Sequence, residues 1–300
     1  MRISTHTMFE YAAARFGELQ SELVKTQQQI ATNRRILTPS DDPVAAAQVL
    51  EITQSQSLNN RFDVNRQHAK TALGELEGTL ESVTELIQDV KTSLLAAEND
   101  ALNDTQRGVI ATEMRGRLDQ LLGLANTRDA VGNYLFSGFQ TATPAFSKDA
   151  VTGVVSYDGD AGQRHIQVDA QRQMSVTSPG STVFQGAGWD MFQTLNDLAT
   201  LLDTPGVPSS AALDTHNANL DKAMDSVLGV RAAAGARLQE LDALDYAGDD
   251  RGLQYSQALS ELQDLDYAKA LTQLSQQQIT LEAAQQSFVK TANLSLFNFI

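Results

Sequence analysis

Cysteine is missing altogether from these 300 residues. That rules out a disulfide framework and every thiolate metal site. No apolar run reaches the length a membrane helix needs, and the opening stretch MRISTHTMFEYAAARF lacks the unbroken apolar core of a secretory signal. The expectation is no membrane insertion and no cleaved signal peptide. Positive charge is also short. The net charge of -15 disfavours nucleic acid and anionic membrane surfaces as partners.

Histidine is scarce. His6, His68, His165 and His216 stand too far apart for a local metal motif, and no His-Glu-x-x-His occurs. Neither a phosphate-cradling glycine loop nor a Gly-x-Ser-x-Gly elbow is present. Asp158 and Asp160 lie in a glycine-rich turn and, with Asp169, are candidates for a carboxylate site, as is the Asp41/Asp42 pair; turn and capping chemistry account for them better than catalysis or calcium. The expectation is a chain that is not an enzyme, with no catalytic residue, metal or cofactor.

What the chain has is heptad rhythm. Phe9, Ala12, Phe16, Leu19, Leu23, Thr26, Ile30, Asn33 and Leu37 step by three and four. Near the other end, Tyr267, Leu271, Leu274, Gln278, Leu281, Gln285, Phe288 and Ala292 do the same. Gln254–Ile300 holds no Pro or Gly, so it is expected to run as one helix. Both terminal seams are diluted by polar residues. Helical stability comes mostly from burying an apolar stripe, so such helices are expected to be disordered alone and to order only with partners. The central seam Ala69, Leu73, Leu76, Leu80, Val83, Ile87, Val90 and Leu94 is apolar throughout and should fold within one molecule.

Between these runs the punctuation is specific. Pro39 and Pro43 break the first helix, with Asp42 as the next N-cap and Pro43 at the first helical position. Arg34 and Arg35 are placed to meet a helix C-terminus. Asn99-Asp100 and Asn103-Asp104 mark a turn, after which Ile110, Met114, Leu118, Leu121 and Ala125 form a returning stripe. Residues 132–187 are rich in Gly and Pro. There Val154–Tyr157 and His165–Val168 are expected to pair as a hairpin across Asp158–Gly162. A helix is expected over Trp189–Leu202, then a long one with Leu213, Leu220, Met224, Val227, Leu238 and Leu241 on one face and a possible interruption at Gly248–Gly252.

The predicted fold class is mainly α: a long antiparallel helical bundle or coiled coil formed by both chain ends, with a small β-rich inserted domain. The expected division is 1–40 and 254–300 as a terminal coiled-coil region, 41–131 and 188–253 as a helical bundle, and 132–187 as an outer insert.

Three stretches resemble the flagellin family, in the branch that joins hook to filament. They are Gln29–Ala47, Gly132–Thr141, and Asp264–Ala268 followed by Leu274–Gln278 and Leu294–Phe297. The Thr38-Pro39-Ser40-Asp41-Asp42-Pro43 sequence favours that branch over a filament subunit, and Asn33 stands where the family commonly has Gly. The resemblance implies a structural protein exported by the flagellar type III apparatus and assembled as a ring of copies. Its implied neighbours are hook-associated protein 1 and flagellin, with an export chaperone holding the C-terminal helix beforehand. The residues expected at the assembly interface are Phe16, Leu23, Ile30, Leu37, Leu271, Leu274, Leu281, Phe288, Leu294 and Phe297. Composition and heptads would equally suit a cytosolic coiled-coil adaptor, and a flagellin-like filament subunit is a further alternative.

Overall fold

The computed structural model describes the backbone of residues 2–149 and 152–297 and the side chains of residues 7, 9–149 and 152–290. Helices are α1 (Arg2–Thr32), α2 (Pro43–Ala97), α3 (Asp104–Ala125), α4 (Gly180–Val183), α5 (Met191–Asp203), α6 (Ser210–Gln263) and α7 (Tyr267–Phe297). Strands are β1 (Phe146–Lys148), β2 (Val155–Tyr157), β3 (His165–Asp169), β4 (Arg172–Ser175), β5 (Gln185–Gly186) and β6 (Trp189–Asp190). The fold is mainly α, and the strands form only three small antiparallel pairs, β1–β2, β3–β4 and β5–β6. The chain divides into two compact units: Met1–Leu58 with Asp250–Ile300, and Asn59–Asp249.

The unit Asn59–Asp249 holds the core. All eight apolar residues of the central seam, Ala69 to Leu94, are at most 1% exposed. Helix α3 runs antiparallel to α2, because Asp89 pairs with Arg117 at 3.0 Å and the later Ser93 meets the earlier Glu113 at 3.1 Å. Helix α6 does the same: Glu77 meets Arg231 at 2.8 Å, and Lys91 reaches back to Asp221. Helix α3 starts as its sequence dictates. Asn103 accepts the Gln106 amide at 2.8 Å while Gln106 accepts the Asn103 amide at 3.0 Å, a reciprocal capping box.

The expected hairpin between Val154–Tyr157 and His165–Val168 does not form. β2 pairs backward with β1, in the register Phe146↔Tyr157, and β3 pairs forward with β4, in the register His165↔Ser175. The stretch between them is tied elsewhere: the Asp160 carboxylate accepts the amides of Phe139 at 2.9 Å and Gly162 at 2.7 Å. Gly138 lies against it with φ +73°, and a Cβ there would overlap the Asp160 carboxylate. Asp160 therefore serves as a loop clasp. Helix α5 begins two residues later than expected, at Met191. Trp189 falls in β6, and Asp190 caps the helix by accepting the Gln193 amide at 3.0 Å.

A second correction concerns Gly248–Gly252. Helix α6 passes through it unbroken. The reason for glycine here is space. Arg66 of α2 is 0% exposed and sits against Gly248, where an added Cβ would lie 2.6 Å from Arg66 Nη2. The guanidinium pairs with Asp245, approaches Asp63 at 3.5 Å and donates to the Val168 carbonyl at 3.3 Å. Lys70 adds contacts of 2.6 Å to both Asp242 and Asp245. The β3–β4 hairpin is thus fastened to two helices, and a bidentate Arg172–Glu240 pair at 2.6 and 2.8 Å secures its other strand.

Candidate assembly interface

The unit Met1–Leu58 with Asp250–Ile300 contains both terminal helices and the two bends that lead into them. Helix α1 ends where Asn33 takes φ +53°, the left-handed geometry that Asn tolerates better than most residues. The Asn33 amide then reaches the Ile30 carbonyl at 3.4 Å and the Arg34 amide reaches the Gln29 carbonyl at 3.1 Å, which closes the helix with a Schellman pair. Pro43 starts α2 as its sequence requires, and Asp42 accepts the Ala45 amide at 3.0 Å.

The second bend was not anticipated. Gln254–Ile300 is not one helix: α6 stops at Gln263 and α7 begins at Tyr267. No Pro or Gly is needed. Short acidic side chains compete for backbone donors, and Asp266 accepts the Lys269 amide at 3.0 Å as the cap of α7.

The two bends meet. The Arg35 amide donates to the Gln263 carbonyl at 2.7 Å, and the Arg35 guanidinium donates to the Leu262 carbonyl at 2.9 Å. These are carbonyls of the last turn of α6, which have no partner within the helix. Arg35 does meet a helix C-terminus, though one 227 residues away rather than that of its own helix. The same guanidinium reaches Asp42 at 3.3 Å, so one side chain links the end of α6 to the start of α2. Asp41 accepts the amides of Leu37 at 3.0 Å and Thr38 at 2.9 Å and pairs with Lys25 at 2.6 Å. The Lys25 ammonium, with those amides, holds the Asp41 carboxyl at about 2.

Because that value lies below the ordinary 3.8, the tie is complete above about pH 4 and is lost as pH falls toward 2. Acidification over that window is expected to loosen the link between α1 and α2, and Asp41→Asn to remove the dependence. Carboxyl-carbon NMR reads it directly. A midpoint near 3.8 would show that Lys25 does not hold Asp41 in solution.

Beyond the bends α1 packs along α7. Most of the α1 seam falls where the heptads put it: Leu19 and Thr26 are buried and Ala12, Phe16, Leu23 and Ile30 half-buried, whereas Phe9 is exposed, and Asn33, exposed, and Leu37, half-buried, lie beyond the end of the helix. The α7 seam is rotated from the expected one. Leu274, Leu281 and Phe288 do face α1, but they alternate with Ala270, Gln277 and Ala284. Tyr267, Leu271, Gln278 and Gln285 are exposed instead. Phe288 sets its ring edge-on to Phe9 at 5.1 Å and to Phe16 at 5.6 Å. The structure therefore brings Phe16, Leu23, Ile30, Leu274, Leu281 and Phe288 together and leaves Leu271 outside, 48% exposed. The side chains of Leu294 and Phe297 lie outside the described residues.

Two features follow. The seam is thin, since among the described residues only Leu19, Thr26 and Ala270 along it are buried. And α7 exposes apolar side chains away from that seam as well: Tyr267, Leu271, Ile279 and Val289 are 50, 48, 65 and 56% exposed, set among glutamine, serine and threonine. Large apolar side chains left open on one helix offer a surface for contact.

Residues 3–141 match the family described as the bacterial flagellin N-terminal helical region. It is 34% identical to flagellar hook-associated protein 3 of Escherichia coli, with 99% of each chain covered. Identity to flagellar hook-associated protein 3 of Salmonella typhimurium is 33%, again over 99% of both chains. Among solved structures, the flagellar hook-associated protein 3 of Legionella pneumophila superposes with a TM-score of 0.65 at 20% identity, covering 71% of this chain and 98% of that one. The chain belongs to the family of flagellar hook-associated protein 3. It is a structural protein of the bacterial flagellum and works there beside other flagellar components.

Proposed function

We propose that the chain forms the junction between hook and filament, assembling with copies of itself through its paired terminal helices. The observation that carries this reading is the set of large apolar side chains on α7, some half-covered by α1 and others open. Phe16, Leu23, Ile30, Leu37, Leu274, Leu281 and Phe288 set the helix pair, and Leu271 faces a neighbouring copy; Leu294 and Phe297 are assigned to the interface from the sequence alone. In this arrangement 1–40 and 254–300 are the assembly region, 41–131 and 188–253 the supporting bundle, and 132–187 the outer insert. Neighbours in the finished flagellum are hook-associated protein 1 on one side and flagellin on the other. The chain reaches them unfolded through the flagellar type III route, with a chaperone covering its C-terminal helix before export. The role is mechanical and needs no catalytic site.

A strain deprived of this protein tests the reading. Hooks without filaments are expected by electron microscopy, with monomeric flagellin shed into the medium and filaments restored by the full chain. Normal filament growth in its absence would overturn the junction assignment.

A further inference from the structure

Strand β3 has an open edge. Its partner bond from the Val176 amide to the Arg164 carbonyl, 2.9 Å, fixes the alternation, so Ile166 turns its backbone groups toward β4 while His165 and Gln167 aim theirs the other way. The Gln167 carbonyl bears this out by accepting from Asn65 Nδ2 of α2 at 2.8 Å. Past that contact α2 and the strand edge border a cleft of about 620 Å³. Its walls are apolar: Ala72, Ile166 and Val176, with Val131 and Phe139 at the mouth, 81 and 65% exposed.

Two polar groups in this cleft lack partners. Glu75 makes no ion pair among the described residues, and Arg164 Nε is buried without a hydrogen bond while the far end of that guanidinium lies 3.7 Å from Asp129. The mouth is held in shape, since Asp129 accepts the amides of Val131 at 3.1 Å and Asn133 at 2.8 Å.

We propose that this cleft is a docking slot for an extended peptide segment of a partner protein, added as a further strand on β3. Main-chain bonds to His165 would align it, and alternate apolar side chains would enter the cleft, as strand addition requires. The charge that completes the site is positive. A Lys or Arg on the segment meets the unpaired Glu75 carboxylate. A docked helix satisfies its own backbone and would leave the strand edge unused. The volume lies within the range of sites that hold a compact ligand, roughly 300–1,000 Å³.

Panning phage-displayed random heptapeptides on the full chain tests this. The enriched set is expected to alternate apolar residues and to carry Lys or Arg. The best member, made synthetically and followed by fluorescence anisotropy, should lose at least about ten-fold in affinity on Ala72→Trp and several-fold on Glu75→Gln. Val131→Asp, at a surface position that cannot unfold the unit, should weaken it similarly. An absence of enrichment, enriched peptides without alternation, or undiminished binding to the filled cleft of Ala72→Trp would each overturn the proposal.

Discussion

Leu281→Asp is expected to abolish incorporation into flagella while the thermal unfolding of Asn59–Asp249 stays within about 0.5 kcal/mol of the parent, the usual range for changes away from a core. Leu281 lies half-buried in the middle of the α7 seam, flanked by Gln277 and Ala284 and about two turns from both Leu274 and Phe288. A carboxylate there meets apolar neighbours from α1 and, in the assembled state, a crowd of further copies, where an unpaired charge costs most. In one molecule the seam contributes little. Full burial of a Leu yields about 1.5–3 kcal/mol, and most seam positions achieve only part of that against an ordering cost of about 1–2 kcal/mol per residue. The companion measurement is amide exchange on the dilute chain. Amides from Leu274 to Phe288 are expected to exchange quickly in the monomer and slowly after assembly. Firm protection in dilute solution, or equal loss of assembly and core stability in Leu281→Asp, would show that the terminal helices belong to the folded core.

The largest stability effect is expected at Arg66. Arg66→Ala removes a fully buried guanidinium, leaves Asp245 with Lys70 alone and takes the donor from the Val168 carbonyl, so unfolding of the unit should lose about 3 kcal/mol, the lower end of the range for breaking a buried pair from one side. Gly248→Ala sharpens the argument because two principles oppose one another. Helix propensity favours Ala over Gly by about 1 kcal/mol. Space opposes it: the new methyl would sit 2.6 Å from a guanidinium that Asp245, Asp63 and the Val168 carbonyl hold in place. Overpacking of that kind costs about 1–3 kcal/mol, so net destabilisation is expected. In the Arg66→Ala background the same glycine change should turn neutral or favourable, a strong departure from additivity. Stabilisation by Gly248→Ala alone, in urea unfolding of the full chain, would place the guanidinium elsewhere.

Much of this architecture is legible in residue order, for reasons that differ by element. The central seam could be read position by position because every member is apolar and large, and all eight are buried. The α2 start was legible from Asp42-Pro43, but the α1 end was misplaced: Pro39 looked like the breaker, whereas Asn33 in left-handed geometry closes the helix at Thr32. The α7 seam was misread because half of its inward row is Ala270, Gln277 and Ala284, small or polar residues that leave no hydropathy signal, whereas the outward row includes Tyr267 and Leu271. The break at Asp264–Asp266 was missed because aspartate ends a helix by local competition rather than by an obvious breaker. Gly248 looked like punctuation. Its purpose is visible only once Arg66, far earlier in the chain, is placed against it. Strand pairing failed at Asp158–Gly162 because its turn residues serve Phe139 instead of closing a hairpin.

The corner held by Arg35 has a bearing on delivery. Its donors come early in the chain and its acceptors, Leu262 and Gln263, come 227 residues later in the case of the guanidinium bond. A polypeptide emerging from a narrow conduit head first cannot fasten that corner until almost its whole length has passed. On the proposed export route, the Arg35 latch closes only once residues 262 and 263 have arrived.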